Sequence, residues 1–214
     1  MPSITLATLE QLVLDRLEGN AALYPPADLA AAINESYRIT NLMAWLNQAT
    51  VSVPGFSVQN QLVYQTPSPI LIPLVAYFEG KQLGKSSLGS MARTHLSWAT
   101  DTSVKSGPPR EWAPIGINEF AIRPADSIGG RDIEITGVVE PVLLVNPTDV
   151  ISVSDDFETM IVNLAAHRIQ LREGGKVFAS SSLLLQGFYH ELKQLTKLQQ
   201  MRFPRYFVAS GTTQ

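Results

Sequence analysis

Residues 155–214 constrain the fold most, because they hold two successive helical patterns and then a segment that cannot be helical. Apolar residues recur at roughly helical spacing over 157–169, Gly174-Gly175 interrupts the pattern, and a second set recurs over 178–195. Pro204 ends the second helix, because proline breaks the hydrogen-bond ladder of a helix interior. Each helix leaves an apolar face open, so we expect further helices to complete a bundle around them.

The segment that follows the second helix joins three aromatic side chains to two arginines. Aromatic residues and arginine are enriched in the hot spots of protein interfaces, so the segment predicts docking on another protein or subunit. Packing on its own helices and stacking on single-stranded nucleic acid are the alternatives, although the net charge of −3 provides no general basic groove. The candidate docking residues are Arg202, Phe203, Arg205, Tyr206 and Phe207.

The first fifty residues predict two more helices. Over 5–18, Thr8 with Gln11 three residues later matches a capping box, and the apolar residues share one face. The second helix, over 27–48, carries two apolar stripes, which predicts contact with two neighbours. These stripes run through Leu29, Ile33 and Tyr37, and through Ile39, Leu42, Met43 and Leu46.

Between the two helical ends, short apolar runs broken by proline and glycine are typical of β-strands. The predicted elements are a strand over 70–78 with a hairpin turn at 79–81, a short helix over 86–98, a three-stranded meander over 112–117, 119–123 and 132–139, and a last strand over 141–145.

These patterns predict an α+β fold: a helical bundle formed by the N- and C-terminal helices, with an inserted β-rich module. The predicted boundaries assign the first bundle helices to 1–50 and the β-rich module to 51–152. The remaining bundle helices occupy 153–203, and an extended tail occupies 204–214.

Composition indicates a chain whose surface is shared with other subunits. Of the 214 residues, 45% are hydrophobic and only 16% are charged, below the roughly 25% usual for soluble domains. An ordinary monomer with a surface rich in serine, threonine, glutamine and asparagine is the alternative. Cysteine is absent, which excludes disulfides and thiolate chemistry, and the apolar runs are too short to cross a membrane.

The titratable residues that resemble sites are better explained as structural groups. His95, His167 and His190 lack metal-binding spacing, so we expect partly exposed helix residues. Carboxylates at Asp155-Asp156 and Glu158 stand where a helix begins and its dipole favours negative charge.

Glycine and serine motifs are also explained by local structure. Asp126 stands near Gly129-Gly130 without the spacing of a calcium loop, so we expect a turn there. The glycines of Gly80–Ser86 are four residues apart and not five, which is the wrong spacing for a phosphate loop. The serines Ser180–Ser182 predict an exposed helix start. The sequence therefore assigns no catalytic, cofactor-binding or metal-binding residue.

Six segments spread along the chain have a layout that is found in one known family, although none of them is a sharp motif. They are Leu9–Leu17, Ala30–Asn34, Pro109–Trp112, Phe120–Pro124, Ile133–Ile135 with Pro141, and Ile161–Ala166. In this layout, most of the chain resembles the head-to-tail adaptor, or connector, proteins of tailed bacteriophages.

The resemblance implies a structural virion protein that has no enzymatic role and no cofactor. It implies a ring, typically of twelve subunits, that lies in the virion neck beneath the portal and is assembled in the host cytoplasm. Its implied partners are the portal and the tail or nozzle proteins, with terminal tails that dock on the portal or on neighbouring subunits. Double-stranded DNA would pass through the channel without specific binding, and weak acidity suits this role because a basic lumen would hold the phosphates.

Two other classes of function stay open at this stage. One is a different virion part, such as a tail terminator or a collar component. The other is a small hydrolase or ligand-binding module, which no sequence feature favours.

Overall fold

The structure is a computed structural model that describes residues 4–17, 23–94, 107–116, 118–173 and 175–202. Among these residues it has five α-helices and two β-sheets, so the predicted mixture of helices and sheets is confirmed. The chain divides into two compact units. The helical unit comprises Met1–Asn47 with Glu140–Pro204, and the β unit is formed by Gln48–Val139.

Four of the helices belong to the helical unit and the short third helix belongs to the β unit. A 3-10 turn at Asp155–Phe157 leads into the fourth helix. The helices are α1 (Leu6–Arg16), α2 (Pro26–Ala44), α3 (Leu88–Thr94), α4 (Glu158–Glu173) and α5 (Gly175–Arg202).

The N-cap of helix α1 lies three residues before the residue predicted for it. The Thr5 hydroxyl accepts a hydrogen bond from the Thr8 N–H at 3.2 Å, so Thr5 is the N-cap and the prediction of Thr8 was wrong. An isolated antiparallel bridge to Val150 holds Thr5 in the extended conformation that an N-cap requires. Leu9 and Val13 are fully buried on the inner face of the helix.

The two stripes of α2 pack into two different clusters, as predicted. Leu29, Ile33 and Tyr37 join apolar residues of α1 and α4. Ile39 packs against a second cluster that α4 and α5 share, whereas Met43 is 43% exposed and lies outside it. Contact with two neighbours therefore follows from the 3.6-residue repeat, while the exact membership of the second stripe does not.

Helices α4 and α5 meet through a polar contact that the sequence did not predict. His167 is buried and its Nδ1 lies 3.0 Å from Oγ of Ser181, which is also fully buried. The prediction of a partly exposed His167 was wrong. The prediction of an exposed helix start at Ser180–Ser182 was wrong for Ser181, which is buried, whereas Ser182 is exposed. The reason is that α5 begins at Gly175, which places Ser181 within the helix and on the face that contacts α4.

The β unit contains two four-stranded sheets. The first has the strand order β1-β8-β3-β4 and is antiparallel throughout; the second has the order β2-β7-β6-β5, in which β5 and β6 are parallel. The strands are β1 (Gln48–Ser52), β2 (Val63–Gln65), β3 (Ile70–Phe78), β4 (Lys81–Gln82), β5 (Gly84–Lys85), β6 (Glu111–Pro114), β7 (Glu119–Arg123) and β8 (Ile133–Val139).

The predicted three-stranded meander is wrong, because β8 joins the other sheet between β1 and β3. Close pairing with β3 depends on Gly137, where a Cβ atom would lie 2.4 Å from the carbonyl oxygen of Ile72. The hairpin between β3 and β4 is confirmed: Phe78 pairs with Lys81, and Glu79 and Gly80 both have positive φ. The predicted strand over 141–145 does not form.

Candidate docking surface

A groove of about 440 Å³ lies between α2 and the segment that returns to the helical unit from β8. We call it the α2 groove. Its lining is largely apolar, and two of its wall residues, Val142 and Leu143, are 78% and 65% exposed. The lining residues are Ala30, Ala31, Asn34, Glu35, Tyr37, Arg38, Glu140, Pro141, Val142 and Leu143.

The side chain of Asn34 on α2 fixes the outer wall of the groove with two hydrogen bonds. Asn34 accepts a hydrogen bond from the Leu144 N–H at 2.8 Å and donates one to the Leu144 carbonyl at 2.9 Å. The side chain of Leu144 is buried in the core, while Leu143 and Val145 on either side of it are exposed. The Asn34 side chain thus hydrogen-bonds both the N–H and the carbonyl of Leu144. Because these groups are already paired, they cannot pair with a neighbouring strand, which explains why this apolar run is not a strand.

The base of the returning segment is fixed by the Tyr37 hydroxyl. It lies 2.6 Å from Oγ of Ser152 and accepts a hydrogen bond from the Ser152 N–H at 3.0 Å. Asp149 also accepts hydrogen bonds from the N–H groups of Asn146 and Val145, and these bonds lower the pKa of its carboxyl group. The groove is therefore held at both ends by hydrogen bonds within the helical unit.

Charged residues border the groove in pairs. Arg38 and Glu140 form an ion pair at 2.7 Å, with both side chains 53% exposed. Glu35 pairs with Arg168 of α4. Pairs this exposed contribute only about 0–1 kcal/mol each, so they define the border of the groove more than they stabilise it.

The predicted docking residues lie at and beyond the end of α5. Arg202 is the last residue of that helix. Phe203, Arg205, Tyr206 and Phe207 lie outside the described residues, so their docking role stays a prediction. The groove residues were missed at the sequence level, although the apolar run over 141–145 was a visible signal.

The other polar cluster is a structural network in the β unit. Asp126 is fully buried and accepts hydrogen bonds from Ser57, Arg131 and the N–H groups of Ile128 and Gly129. Burial alone raises the pKa of the Asp126 carboxyl, but the bonds from Arg131 and Ser57 outweigh burial and hold that pKa well below its usual range. The Asp126 carboxylate thus stabilises the predicted turn by accepting hydrogen bonds from its backbone.

The described histidines do not form a common site. His167 contacts Ser181, while the exposed His190 lies with Nε2 2.8 Å from the side-chain nitrogen of Gln194. His95 lies outside the described residues. Within the described ranges, no three His, Asp or Glu side chains come together in a way that could hold a metal ion.

Comparison with models of known protein families gives no match, and comparison with curated proteins gives no similar sequence. Among the described residues, no helix combines the length and the apolar character that crossing a membrane requires.

Proposed function

We propose that the protein is a structural component of a tailed-phage virion: a ring-forming head-to-tail adaptor that docks on the portal, extends the DNA channel and provides the platform for the tail. The observation that carries the proposal is the exposed apolar wall of the α2 groove. The resemblance of the sequence to this class of protein says which kind of assembly would cover such a wall.

The exposed wall favours an interaction protein because its two apolar residues are exposed and a third exposed apolar residue, Val145, follows closely in the chain. Val142, Leu143 and Val145 are 78%, 65% and 69% exposed within four residues of chain. Full burial of one such side chain is worth roughly 1.5–3 kcal/mol, and contiguous apolar patches usually mark interfaces. A neighbouring subunit or the portal would supply that burial.

In this proposal the helices at the two ends of the chain form the bundle that carries the subunit contacts. The β unit is the inserted module. We expect a ring of typically twelve subunits in the neck between the capsid portal and the tail, assembled in the host cytoplasm. The net charge of −3 suits a channel that lets double-stranded DNA slide through, because few counterions are displaced from the phosphates.

The segment that begins at Arg202 is the proposed docking element, with the portal or a neighbouring subunit as its receiver. Its two arginines and three aromatic residues are the types that dominate interface energetics. Tail or nozzle proteins would bind the opposite end of the ring.

The proposal is tested by adding the purified protein to portal-bearing heads that lack it and imaging the particles by electron microscopy. We expect a ring directly beneath the portal and heads that become competent to accept tails. A Leu143→Ser variant should bind at least tenfold more weakly, whereas Leu183→Ser is the matched control because Leu183 is 71% exposed on α5. Density at the far end of the tail, or no binding at all, would refute the adaptor role.

A further inference from the structure

We infer that the α2 groove is the receiving site for the segment Phe203–Phe207 of a second copy of this chain. The inference rests on the proposed function, since it presumes that the subunits assemble. It assigns the docking segment to a neighbouring subunit and identifies the surface on that subunit to which the segment binds.

The shape and lining of the groove suit aromatic side chains. Ala30 and Ala31 form a shallow wall on α2, and Val142 and Leu143 form an apolar wall opposite. The volume of about 440 Å³ lies within the range of roughly 300–1,000 Å³ that is typical of ligand pockets. Small side chains on one wall and aliphatic ones on the other leave room for one or two rings.

The backbone of the outer wall favours an extended occupant. In the described part of the chain, the N–H groups of Val142 and Leu143 have no hydrogen-bond partner, and neither residue belongs to a helix or a strand. A peptide that lies along these residues can satisfy their backbone groups, as in β-strand addition. A helix cannot, because its own backbone groups are already paired.

The segment after α5 has the matching chemistry. Pro204 cannot continue a helix, and proline disfavours the helical conformation in the residue before it, so the sequence predicts that the segment binds in an extended form. Arg205 is the only charged residue after Arg202, so the segment is basic as well as aromatic. At the groove border, the carboxylates of Glu35 and Glu140 are about half exposed and retain acceptor sites beyond their present arginine partners.

Helix directions show where the segment begins relative to the groove of its own subunit. Asp28 near the start of α2 pairs with Arg172 near the end of α4, so these two helices are antiparallel. Contact between His167 and Ser181 across the short connection makes α4 and α5 antiparallel as well. Helices α2 and α5 therefore run in the same direction.

The distance along these parallel helices is too long for the aromatic segment. Ala44 of α2 and Leu192 of α5 belong to the same apolar cluster and so lie at a similar level. Asn34 in the groove precedes Ala44 by ten residues and Arg202 follows Leu192 by ten, which separates them by about 30 Å at 1.5 Å per residue. Phe203–Phe207 spans at most about 17 Å, so the groove of its own subunit is out of reach.

The absence of cysteine from the chain provides a direct test. In a Tyr206→Cys, Leu143→Cys double variant, assembled on portal-bearing heads and oxidised, we expect a ladder of covalent oligomers in denaturing gels. Tyr206→Cys with Leu183→Cys, which is equally exposed but on α5, should give at least tenfold less. A disulfide within single chains, seen as a faster-migrating monomer, would overturn the inference because the segment would then reach its own groove.

The remaining outcomes separate this inference from the function on which it rests. Tyr206→Ala with Phe207→Ala should weaken assembly on the order of 100-fold, since each hot-spot aromatic accounts for at least tenfold. If rings form on the portal but no ladder appears, the inference fails and the adaptor role stands, with the portal as the receiver. If the wild-type protein forms no ring on heads, both fail.

Discussion

Where the structure describes the chain, the helical unit has more unpaired buried polar groups and more exposed large apolar residues than the β unit. In the helical unit, the buried side-chain oxygens of Ser36, Thr40 and Asn163 have no hydrogen-bond partner, and most of the exposed large apolar residues of the described chain also belong to this unit. In the β unit, the buried carboxylate of Asp126 is bonded by two side chains and two backbone N–H groups. Among the described residues of this unit, the Thr66 hydroxyl is the one buried side-chain atom without a partner, and Phe56, Val58 and Ile128 are the exposed large apolar residues.

This difference indicates which unit depends on partners. A unit that pairs its buried charge and leaves few apolar side chains exposed has little stability to gain from a partner. A unit that leaves apolar side chains outside and polar atoms unpaired inside has stability to gain from assembly. The comparison therefore favours the helical unit, which also contains the α2 groove, as the location of the proposed assembly surfaces.

The largest expected effect tests whether the buried and exposed apolar residues of the helical unit really differ. Ile161→Ala should lower the free energy of unfolding by about 3–4 kcal/mol, because Ile161 is fully buried in the cluster of α1, α2 and α4. Leu183→Ala, at 71% exposure, should change it by less than about 0.5 kcal/mol. Urea unfolding followed by circular dichroism measures both, and equal losses would break the comparison.

The next effect tests the polar network of the β unit. Asp126→Asn should lower the free energy of unfolding by about 3 kcal/mol at neutral pH, because the buried ion pair with Arg131 is broken. Since the folded-state pKa of Asp126 is depressed, its contribution is present above about pH 4 and is lost as the pH falls towards that folded-state pKa.

The wild type should therefore lose stability between about pH 4 and pH 2, and Asp126→Asn should lose less over the same range. Urea titrations followed by tryptophan fluorescence at several pH values measure both curves. The neighbouring Asp132→Asn is the control. Parallel acid profiles for wild type and Asp126→Asn would show that the network does not stabilise the β unit in the way described.

A smaller effect tests how the helical unit is stabilised locally. Thr5→Ala should cost about 1 kcal/mol, because its hydroxyl caps the first turn of α1. Thr8→Ala should cost less, since its hydroxyl bonds only to that of Thr5. Thermal unfolding of the two variants distinguishes them, and a greater loss for Thr8→Ala would restore the cap predicted from sequence.

The sequence predicted the elements whose signals are local. Helical periodicity located the helices, and Glu79-Gly80 predicted the hairpin between β3 and β4 correctly. Pairing of β8 was not predictable, since alternation at Ile133 and Ile135 shows which residues are buried but not which strands lie beside them. Partner choice depends on contacts between residues far apart in the chain.

The candidate groove escaped prediction for a similar reason. The apolar run over 141–145 matches the pattern of a strand. Only the structure shows that Asn34, 110 residues away in the chain, hydrogen-bonds the backbone of Leu144. The docking role of Phe203, Tyr206 and Phe207 stays a prediction from residue type alone. A receiving surface could be proposed for them only from the helix directions, which the sequence does not give.

The last effect is of similar size but opposite sign, and it tests the difference between the two units most directly. Thr40→Val should raise the free energy of unfolding by about 1 kcal/mol, because it removes a fully buried hydroxyl that has no partner and keeps the shape of the side chain. Thr159→Val on the exposed face of α4 has the same change in helix propensity and should stay within about 0.5 kcal/mol. Calorimetric unfolding measures both. If Thr40→Val destabilises instead, the hydroxyl is hydrogen-bonded in the folded subunit, and the difference between the two units is smaller than described.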